Sequence, residues 1–148
     1  PEHVNVGALR RQGYEKALSE KGISVNKKLI IEIEEKENIK AQIERVFDQD
    51  IDAVFAVNEI YAATAMRIAK EKGYKVPQEF SVIGFTDGLI SEYSSPSITT
   101  IAQHGLEMGK QAVEVLIERI EKEAEVYEPK KIVISSNLKL RESTKPSS

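Results

Sequence analysis

The sequence predicts an α/β fold, with a mostly parallel sheet that carries helices on both faces. Segments whose apolar residues recur at helical spacing alternate along the chain with short segments rich in β-branched residues, which is the pattern of repeated strand and helix units. One short segment, AVFAV at 53–57, is almost entirely apolar, as expected for a strand buried on both faces of a parallel sheet. The 148 residues are enough for one domain with a hydrophobic core.

The first half of the chain is predicted to contain two helices and two strands. Apolar residues at helical spacing predict a helix over 6–21, and Gly22 follows it as a stop. The β-branched segment KLIIEI at 28–33 predicts a strand. A second helix over about 38–48 carries one apolar stripe, and the strand 53–57 comes after it.

The second half of the chain continues this alternation. Small residues line one face of a third helix, which begins after Asn58 and is ended by Gly73. The segments that follow are, in order, a strand SVIGF at 81–85, a turn-rich loop at 86–96, a short strand SITTIAQ at 97–103, a long amphipathic helix at about 105–123, a strand KKIVIS at 130–135 and a disordered tail at 143–148. Right-handed crossovers would bring the carboxyl ends of the strands to one edge of the sheet.

The composition excludes several classes of function. The chain has no cysteine, which excludes a disulfide scaffold and a thiolate metal site. With two histidines, and without a nucleophile motif or a phosphate-binding glycine motif, neither catalysis nor a metal ion nor a cofactor is expected. The net charge of −3, with acids and bases interleaved, argues against nucleic acid binding by this chain. Binding without chemistry is therefore the starting hypothesis.

Polar side chains follow the predicted strands at the edge where parallel α/β sheets bind ligands. Asn58 either caps the third helix, with Glu59 complementing the helix dipole, or holds a ligand hydroxyl through its amide. Thr86 and Asp87 follow the strand SVIGF and either form only a turn or face the crevice. Gln103 closes the strand 97–103, where a bond to the following loop is the simpler interpretation.

Two adjacent arginines lie on the first helix. Arg10 and Arg11 point about 100° apart, so only one of them can easily face a crevice while the other is solvated. An arginine at a crevice would offer a planar fork of donors to hydroxyl or carboxylate oxygens.

Four stretches of the sequence carry a recognisable order and spacing. They are RRQGYEKALSEKGI, DAVFAVNEIYAATAMRIAKEKGYKVPQEFSVIGFTDG, PSITTIAQHGLEMGKQAVEVLIERI and LKLREST. Together they resemble the effector-binding core of the LacI/GalR family of bacterial transcription regulators. The resemblance covers roughly residues 8 to 144. Its specificity comes from the combination of V-P-x-x-x-S-V-I-G-F, P-x-I-T-T-I-x-Q and a terminal R-E-S-T.

The resemblance implies a periplasmic-binding-protein-like (type I) fold of two subdomains, of which this chain holds mainly the second. Residues 1–103 would form that C-terminal subdomain. Residues 104–135 would give a helix and a strand to the mostly missing N-terminal subdomain, and residues 136–148 would return and end in the disordered tail. The family's DNA-binding head and hinge helix would lie outside the chain.

The resemblance also implies a function. A sugar-like effector would bind in the cleft between the subdomains of a cytoplasmic homodimer and control its DNA binding, with operator DNA contacted only through the missing head. No membrane contact, enzyme activity, metal ion or cofactor is implied. Two alternatives stay open: a periplasmic-type sugar-binding protein of a transporter, which would carry a signal peptide upstream, and an α/β enzyme, against which the missing catalytic constellation counts.

The family pattern, carried over residue by residue, predicts an effector-binding set. Arg10 matches the ligand-facing arginine, Asn58 matches the asparagine of the family's N-D pair, and Gln103 matches a glutamine after T-T-I. Thr86 and Asp87 stand where the family commonly has D-D, whose first aspartate accepts two sugar hydroxyls. Threonine offers one hydroxyl and no charge, so this position departs from the pattern.

The family's dimer contacts match the third helix and the loop before T-T-I. They predict an interface formed by Ala62, Ala63, Met66, Leu89, Tyr93 and Pro96. Small side chains permit close approach of helices, and an apolar loop with a tyrosine suits an interface core. The alternative is that these residues belong to the core of a single chain.

Overall fold

Helices surround one four-stranded sheet. A computed structural model describes residues 5–34, 38–121 and 129–146. The helices are α1 Asn5–Glu20, α2 Ile39–Glu44, α3 Glu59–Glu71, α4 Leu89–Tyr93 and α5 Gly105–Glu121, and the strands are β1 Ala53–Ala56, β2 Ser81–Phe85, β3 Thr99–Ala102 and β4 Asn137–Lys139. Two 3-10 helices, Lys27–Leu29 and Arg45–Asp48, are also present. The four predicted helices are thus confirmed as α1, α2, α3 and α5.

The strands lie side by side in the order β1-β2-β3-β4. Strands β1, β2 and β3 are parallel, and β4 pairs antiparallel with β3. The predicted α/β class with a mostly parallel sheet is therefore confirmed. Because parallel strands end at the same edge, the residues after Ala56, Phe85 and Ala102 meet along one rim of the sheet.

Helix α3 packs on one face of the sheet and forms the centre of the core. The buried side chains of this cluster are Ala56, Ala62, Met66, Ala69, Phe80, Val82 and Ile98. Small residues on α3 let the helix approach the sheet closely, and a Cβ atom on Gly84 would stand 3.0 Å from the Cβ of Ala62. Helix α2 adds a second cluster, in which Ile43 packs with Ala65 and Ile68. Bulkier residues at these contacts would push the helices off the sheet.

The opposite face of the sheet is only partly covered. Alternate side chains of a strand point to opposite faces, and Phe55 and Phe85 line a groove beside α1 instead of packing on α3. Phe55 is 41% exposed, so the prediction that segment 53–57 is buried on both faces is wrong. The physical reason is the groove itself, since α1 does not close over β1.

Segment 28–33 is not a strand. It begins as the 3-10 helix Lys27–Leu29, because the Asn26 side chain accepts a hydrogen bond from the Lys28 N–H at 3.0 Å. Further on, the backbone N–H and C=O of Glu34 pair with the side-chain amide of Gln42 at 2.8 and 2.9 Å. A buried glutamine of α2 therefore takes hydrogen bonds that a neighbouring strand would have made.

Two other segments differ from their predictions. Residues 130–135 do not form a strand, and Ile132 and Val133 are 48% and 75% exposed. A β-branched sequence becomes a strand only when a partner accepts its backbone hydrogen bonds, and no described strand pairs with this one. The predicted loop at 86–96 contains the short helix α4.

The segment after β4 is anchored in the core. Ser143 is fully buried; its N–H donates to the Ser97 carbonyl, and its own carbonyl accepts from the Val82 N–H, both at 2.9 Å. The Ser143 hydroxyl accepts from the Thr99 N–H at 2.8 Å, and the hydroxyls of Thr99 and Thr144 lie 2.8 Å apart. The prediction of a disordered tail is therefore wrong for its first two residues, while its last two lie outside the described residues.

Helix α5 buries none of its side chains. Its exposed apolar residues include Leu106, Val113, Leu116, Ile117 and Ile120. The predicted helix is confirmed over Gly105–Glu121, and its last two predicted positions lie outside the described residues. An apolar stripe of this length is typical of a surface that packs against another part of a protein.

We expect Ser143→Ala to lower the free energy of unfolding by about 1–3 kcal/mol, because the Thr99 N–H would lose its acceptor inside the core. Chemical denaturation measures this difference. The matched control is Ser135→Ala, at an exposed position, which should change the free energy of unfolding by less than about 0.5 kcal/mol. Equal effects of the two substitutions would contradict the anchoring role of Ser143.

Candidate functional site

Arg10 contacts residues at the carboxyl ends of two strands. It reaches from α1 across the rim, where its Nη1 donates to the Val57 carbonyl at 2.8 Å. Its guanidinium carbon lies 4.0 Å from the centroid of the Phe85 ring. These contacts put Arg10 against the residues that directly precede Asn58 and Thr86, two other predicted effector-binding residues.

The Arg10 guanidinium lies in partly apolar surroundings. Burial lowers the pKa of Arg10 from its usual value, yet an arginine stays protonated at neutral pH. The face of Phe85 stabilises the cation. Within the described chain, Nε and Nη2 of Arg10 have no hydrogen-bond partner, so part of the donor fork stays available to a ligand.

Asn58 caps α3 through its side-chain oxygen. The Oδ1 atom accepts from the Tyr61 N–H at 2.8 Å, and the Asn58 backbone is extended, with φ −153° and ψ 169°. The capping interpretation is confirmed. Because a backbone N–H must face an oxygen, this bond also assigns the amide orientation, and the NH₂ group is left without a partner among the described residues. Capping and ligand binding are therefore compatible in one side chain.

Thr86 joins the ends of β2 and β3 in a strained conformation. Its φ of 78° is left-handed, which costs a β-branched residue about 1–3 kcal/mol. The Thr86 N–H donates to the Ile101 carbonyl at 3.1 Å, and its hydroxyl lies 3.4 Å from Oε1 of Gln103. Four of the five predicted effector-binding residues thus meet along the rim.

The fifth residue, Asp87, is bonded within the protein. Its Oδ1 accepts from Arg141 and, at 3.1 Å, from the Thr100 hydroxyl, and its Oδ2 accepts from Lys139 at 3.0 Å. Burial alone would raise the pKa of Asp87, but the hydrogen bonds from Arg141, Lys139 and Thr100 outweigh it and hold the pKa below its usual 3.8. This carboxylate therefore anchors the segment that follows β4.

The role of Arg141 was missed by sequence reasoning. The R-E-S-T motif contributed to the resemblance without suggesting any contact. The Arg141 side chain is only 9% exposed, and a cation buried this deeply needs a carboxylate or several acceptors. It donates to Asp87, to the Ile98 carbonyl at 2.8 Å and to the Thr100 hydroxyl at 2.9 Å. No local sequence signal identified Asp87 as its partner, because 54 residues separate the two.

Glu59 connects the start of α3 to α4. Its Oε2 lies 3.4 Å from both the N–H and the hydroxyl of Ser91, in the first turn of α4. A Cβ atom on Gly88 would stand 2.4 Å from Oε1 of Glu59, so a glycine leaves the room that this carboxylate occupies. Glu59 thereby holds the loop that follows Asp87.

A groove of about 690 Å³ extends from the rim along α1. Its apolar wall includes Phe55, Phe85 and Ile101, and Arg10 and Gln103 are among its polar residues. No carboxylate lines it among the described residues. The volume is within the range of small-molecule sites, and apolar walls with a few polar groups are typical of them.

The six predicted interface residues divide into two groups. Ala62 and Met66 are 0% and 5% exposed and belong to the core. Leu89 and Tyr93, on α4, are 71% and 78% exposed. Ala63 and Pro96 are half-buried, and both Ala63 and Met66 line a second groove of about 410 Å³ beside α3. Leu89 and Tyr93 therefore carry most of the exposed apolar area of this set.

The family of periplasmic binding protein-like domains matches residues 1–144. The HTH-type transcriptional regulator CelR of Thermobifida fusca is 30% identical over 146 residues, which cover 97% of this chain and 42% of that protein. The ribose operon repressor of Haemophilus influenzae is 34% identical over 142 residues, covering 94% of this chain and 42% of that protein. The chain therefore spans less than half the length of these curated relatives.

Solved structures share the fold. A complex of the transcriptional regulator CelR with cellobiose aligns with a TM-score of 0.82 at 30% identity, covering 93% of this chain and 42% of that one. A LacI family transcriptional regulator from Enterococcus faecium with bound ribose aligns with a TM-score of 0.80 at 29% identity, covering 100% of this chain and 55% of that one. These relatives are transcription regulators, not enzymes. Within the described ranges, none of the helices is long and apolar enough to cross a membrane.

We expect Asp87→Asn to lower the free energy of unfolding by about 2–4 kcal/mol at neutral pH, because Arg141 would stay buried without its charged partner. The difference from the unsubstituted chain should shrink on acidification. A carboxyl whose pKa is lowered by folding stabilises the folded state above its unfolded pKa, near 3.8, and loses that contribution as the pH falls through the folded pKa.

Denaturation curves recorded from neutral pH downward measure this dependence, with the exposed Asp50→Asn as control. A difference between Asp87→Asn and the unsubstituted chain that stays constant below the unfolded pKa would contradict the role of the ion pair.

Proposed function

Because this chain belongs to the periplasmic binding protein-like domain family, and matches the effector-binding part of LacI-type regulators, we propose that it senses a sugar-like effector for a transcription regulator of the LacI/GalR type. The effector would control the affinity of a cytoplasmic homodimer for operator DNA. The DNA-binding head would come from sequence beyond the chain. The named relatives are regulators, which favours this function over a transport binding protein or an enzyme.

One observation carries this proposal: the contact of Arg10 with the ends of two parallel strands. Ligands of open parallel sheets bind beyond those ends. Planar polar side chains stand there beside aromatic rings, a combination that suits hydroxyls and the apolar face of a sugar ring. Cellobiose and ribose, bound in two of the similar structures, support the ligand class.

The proposed cleft needs a second wall from sequence beyond this chain. The chain spans 42% of the length of two regulators it resembles, and α5 exposes its apolar stripe. We assign residues 1–103 and 136–148 to one subdomain and residues 104–135 to the other, whose remainder would cover α5. Closure of the two subdomains around the effector would then change how the dimer presents its DNA-binding heads.

The proposed dimer surface consists of α4 and the neighbouring edge of α3. Leu89 and Tyr93 carry its exposed apolar area, and Ala63 and Pro96 flank them. Aromatic and aliphatic side chains of this kind form the centre of protein interfaces. Ala62 and Met66 would support α3 from inside the core, and Met66 also lines the groove beside α3.

We expect Asn58→Asp to weaken sugar binding about tenfold or more in the longer protein that contains this chain, because it removes the NH₂ donor. Aspartate keeps the oxygen that accepts from the Tyr61 N–H, so thermal stability should be retained. A thermal-shift screen of mono- and disaccharides, phosphorylated sugars and nucleosides identifies the effector. Calorimetry then gives its affinity for each variant.

Asn58→Ala is the matched variant, since it loses both the donor and the cap. It should weaken binding to a similar degree and also lower the free energy of unfolding by about 1 kcal/mol. Unchanged sugar affinity in both variants would exclude Asn58 from the site. A screen in which no sugar or sugar derivative raises the melting temperature would contradict the sensing function.

We expect Tyr93→Glu to dissociate the dimer of the longer protein, because a carboxylate would be buried in the centre of an apolar interface. Sedimentation equilibrium measures the dimer fraction. Ile23→Glu, another exposed apolar position, is the control and should leave the dimer intact. A dimer that withstands Tyr93→Glu would argue against α4 as the interface.

A further inference from the structure

The polar side chains at the rim use their acceptors internally and leave donors at the crevice. Oδ1 of Asn58 is taken by the Tyr61 N–H at 2.8 Å, and the NH₂ group has no partner among the described residues. Arg10 uses Nη1 on the Val57 carbonyl at 2.8 Å, and its Nε and Nη2 have no partner there. A ligand hydroxyl needs an acceptor for its own proton, which neither of these two side chains supplies.

The carboxylates of Asp87 and Glu59, which follow strand ends, are hydrogen-bonded within the protein. Asp87 is bonded to Arg141 and Lys139, so the two cations outnumber it. Glu59 is turned toward Ser91 at the start of α4. Neither carboxylate pairs with Arg10 among the described residues.

Thr86 offers the crevice one uncharged hydroxyl. This hydroxyl lies 3.4 Å from Oε1 of Gln103. No acidic side chain lines the groove among the described residues. A neutral sugar would find few charged acceptors on this wall.

The apolar surroundings strengthen the field of Arg10. Phe85 lies against one face of its guanidinium, and Phe55 and Ile101 extend the apolar wall. Attraction between opposite charges grows as water is excluded. Arg10 has already lost part of its hydration. A bound anion would therefore stabilise its charge in place of the lost water.

We infer that the effector carries an anionic group, a carboxylate or a phosphate, which binds Arg10 and the Asn58 amide. This inference rests on the proposed sugar-sensing function and narrows its ligand to an acidic or phosphorylated sugar. The oxygens of either anion accept two donors of an arginine fork at once. The sugar ring would lie against the aromatic wall of the groove.

Calorimetry on the longer protein with matched ligands tests this inference. Glucose, glucuronate and glucose 6-phosphate form one set, and ribose and ribose 5-phosphate form another. In the set that binds, we expect an anionic member to bind at least about tenfold more tightly than its neutral parent. Its affinity should fall as the salt concentration rises. Comparison of glucuronate with glucose 6-phosphate distinguishes the two anions.

Two substitutions test which residues cause the preference for an anionic ligand. Arg10→Met keeps an apolar stem beside Phe85 and should abolish the advantage of the anionic ligand, while Thr86→Asp should reverse it by placing a carboxylate at the rim. Arg11→Met is the matched control, because Arg11 bonds to Glu15 and Glu32. It should retain the preference.

The outcomes separate this inference from the proposed function. Equal or tighter binding of the neutral sugars would overturn the inference and leave the sensing function standing. An anionic preference that survives Arg10→Met would also overturn it. If no member of either set binds, and no other sugar or sugar derivative raises the melting temperature in the thermal-shift screen, both the inference and the proposed function are overturned.

Discussion

The sheet beneath the crevice depends on the return segment, residues 136–146, which is anchored where β2 and β3 begin. The Ser143 N–H donates to the Ser97 carbonyl, and the Ser143 carbonyl accepts from the Val82 N–H. Its hydroxyl accepts from the Thr99 N–H. These contacts join parts of the chain that are 44 to 61 residues apart. A buried serine can replace ladder hydrogen bonds in this way because its hydroxyl both donates and accepts. These contacts hold β2 and β3 at the edge of the sheet opposite the rim.

The same anchoring determines the chemistry of the rim. Arg141 is almost fully buried and requires an anion, which Asp87 supplies. The loop between β2 and α4 is held at Asp87 and again where Glu59 occupies the space beside Gly88. Fixed at both points, the loop can keep Thr86 in a left-handed conformation that would otherwise relax. The carboxylates thus stabilise the fold, and donors are left to face the crevice.

Much of the fold could be predicted from the sequence, because helices and buried strands carry their signals locally. The small-residue face of α3 and the apolar segment of β1 needed no knowledge of distant residues. The strand predictions for 28–33 and 130–135 failed because a strand is defined by its partner, and no described strand pairs with either segment. At the site, Arg10 and Asn58 were predicted from local position and family pattern, and this stays a prediction. The pairing of Asp87 with Arg141 was not predicted, because 54 residues separate them.

The central claim is that the residues following β1, β2 and β3 form one effector-binding wall. Backbone hydrogen exchange on the longer protein, with and without the ligand that gives the largest thermal shift, tests this claim directly. We expect slower exchange in three separate segments at once, residues 57–61, 85–88 and 101–104, because one ligand would restrict all three strand ends. Slower exchange confined to a single segment, or to α5 alone, would contradict the claim.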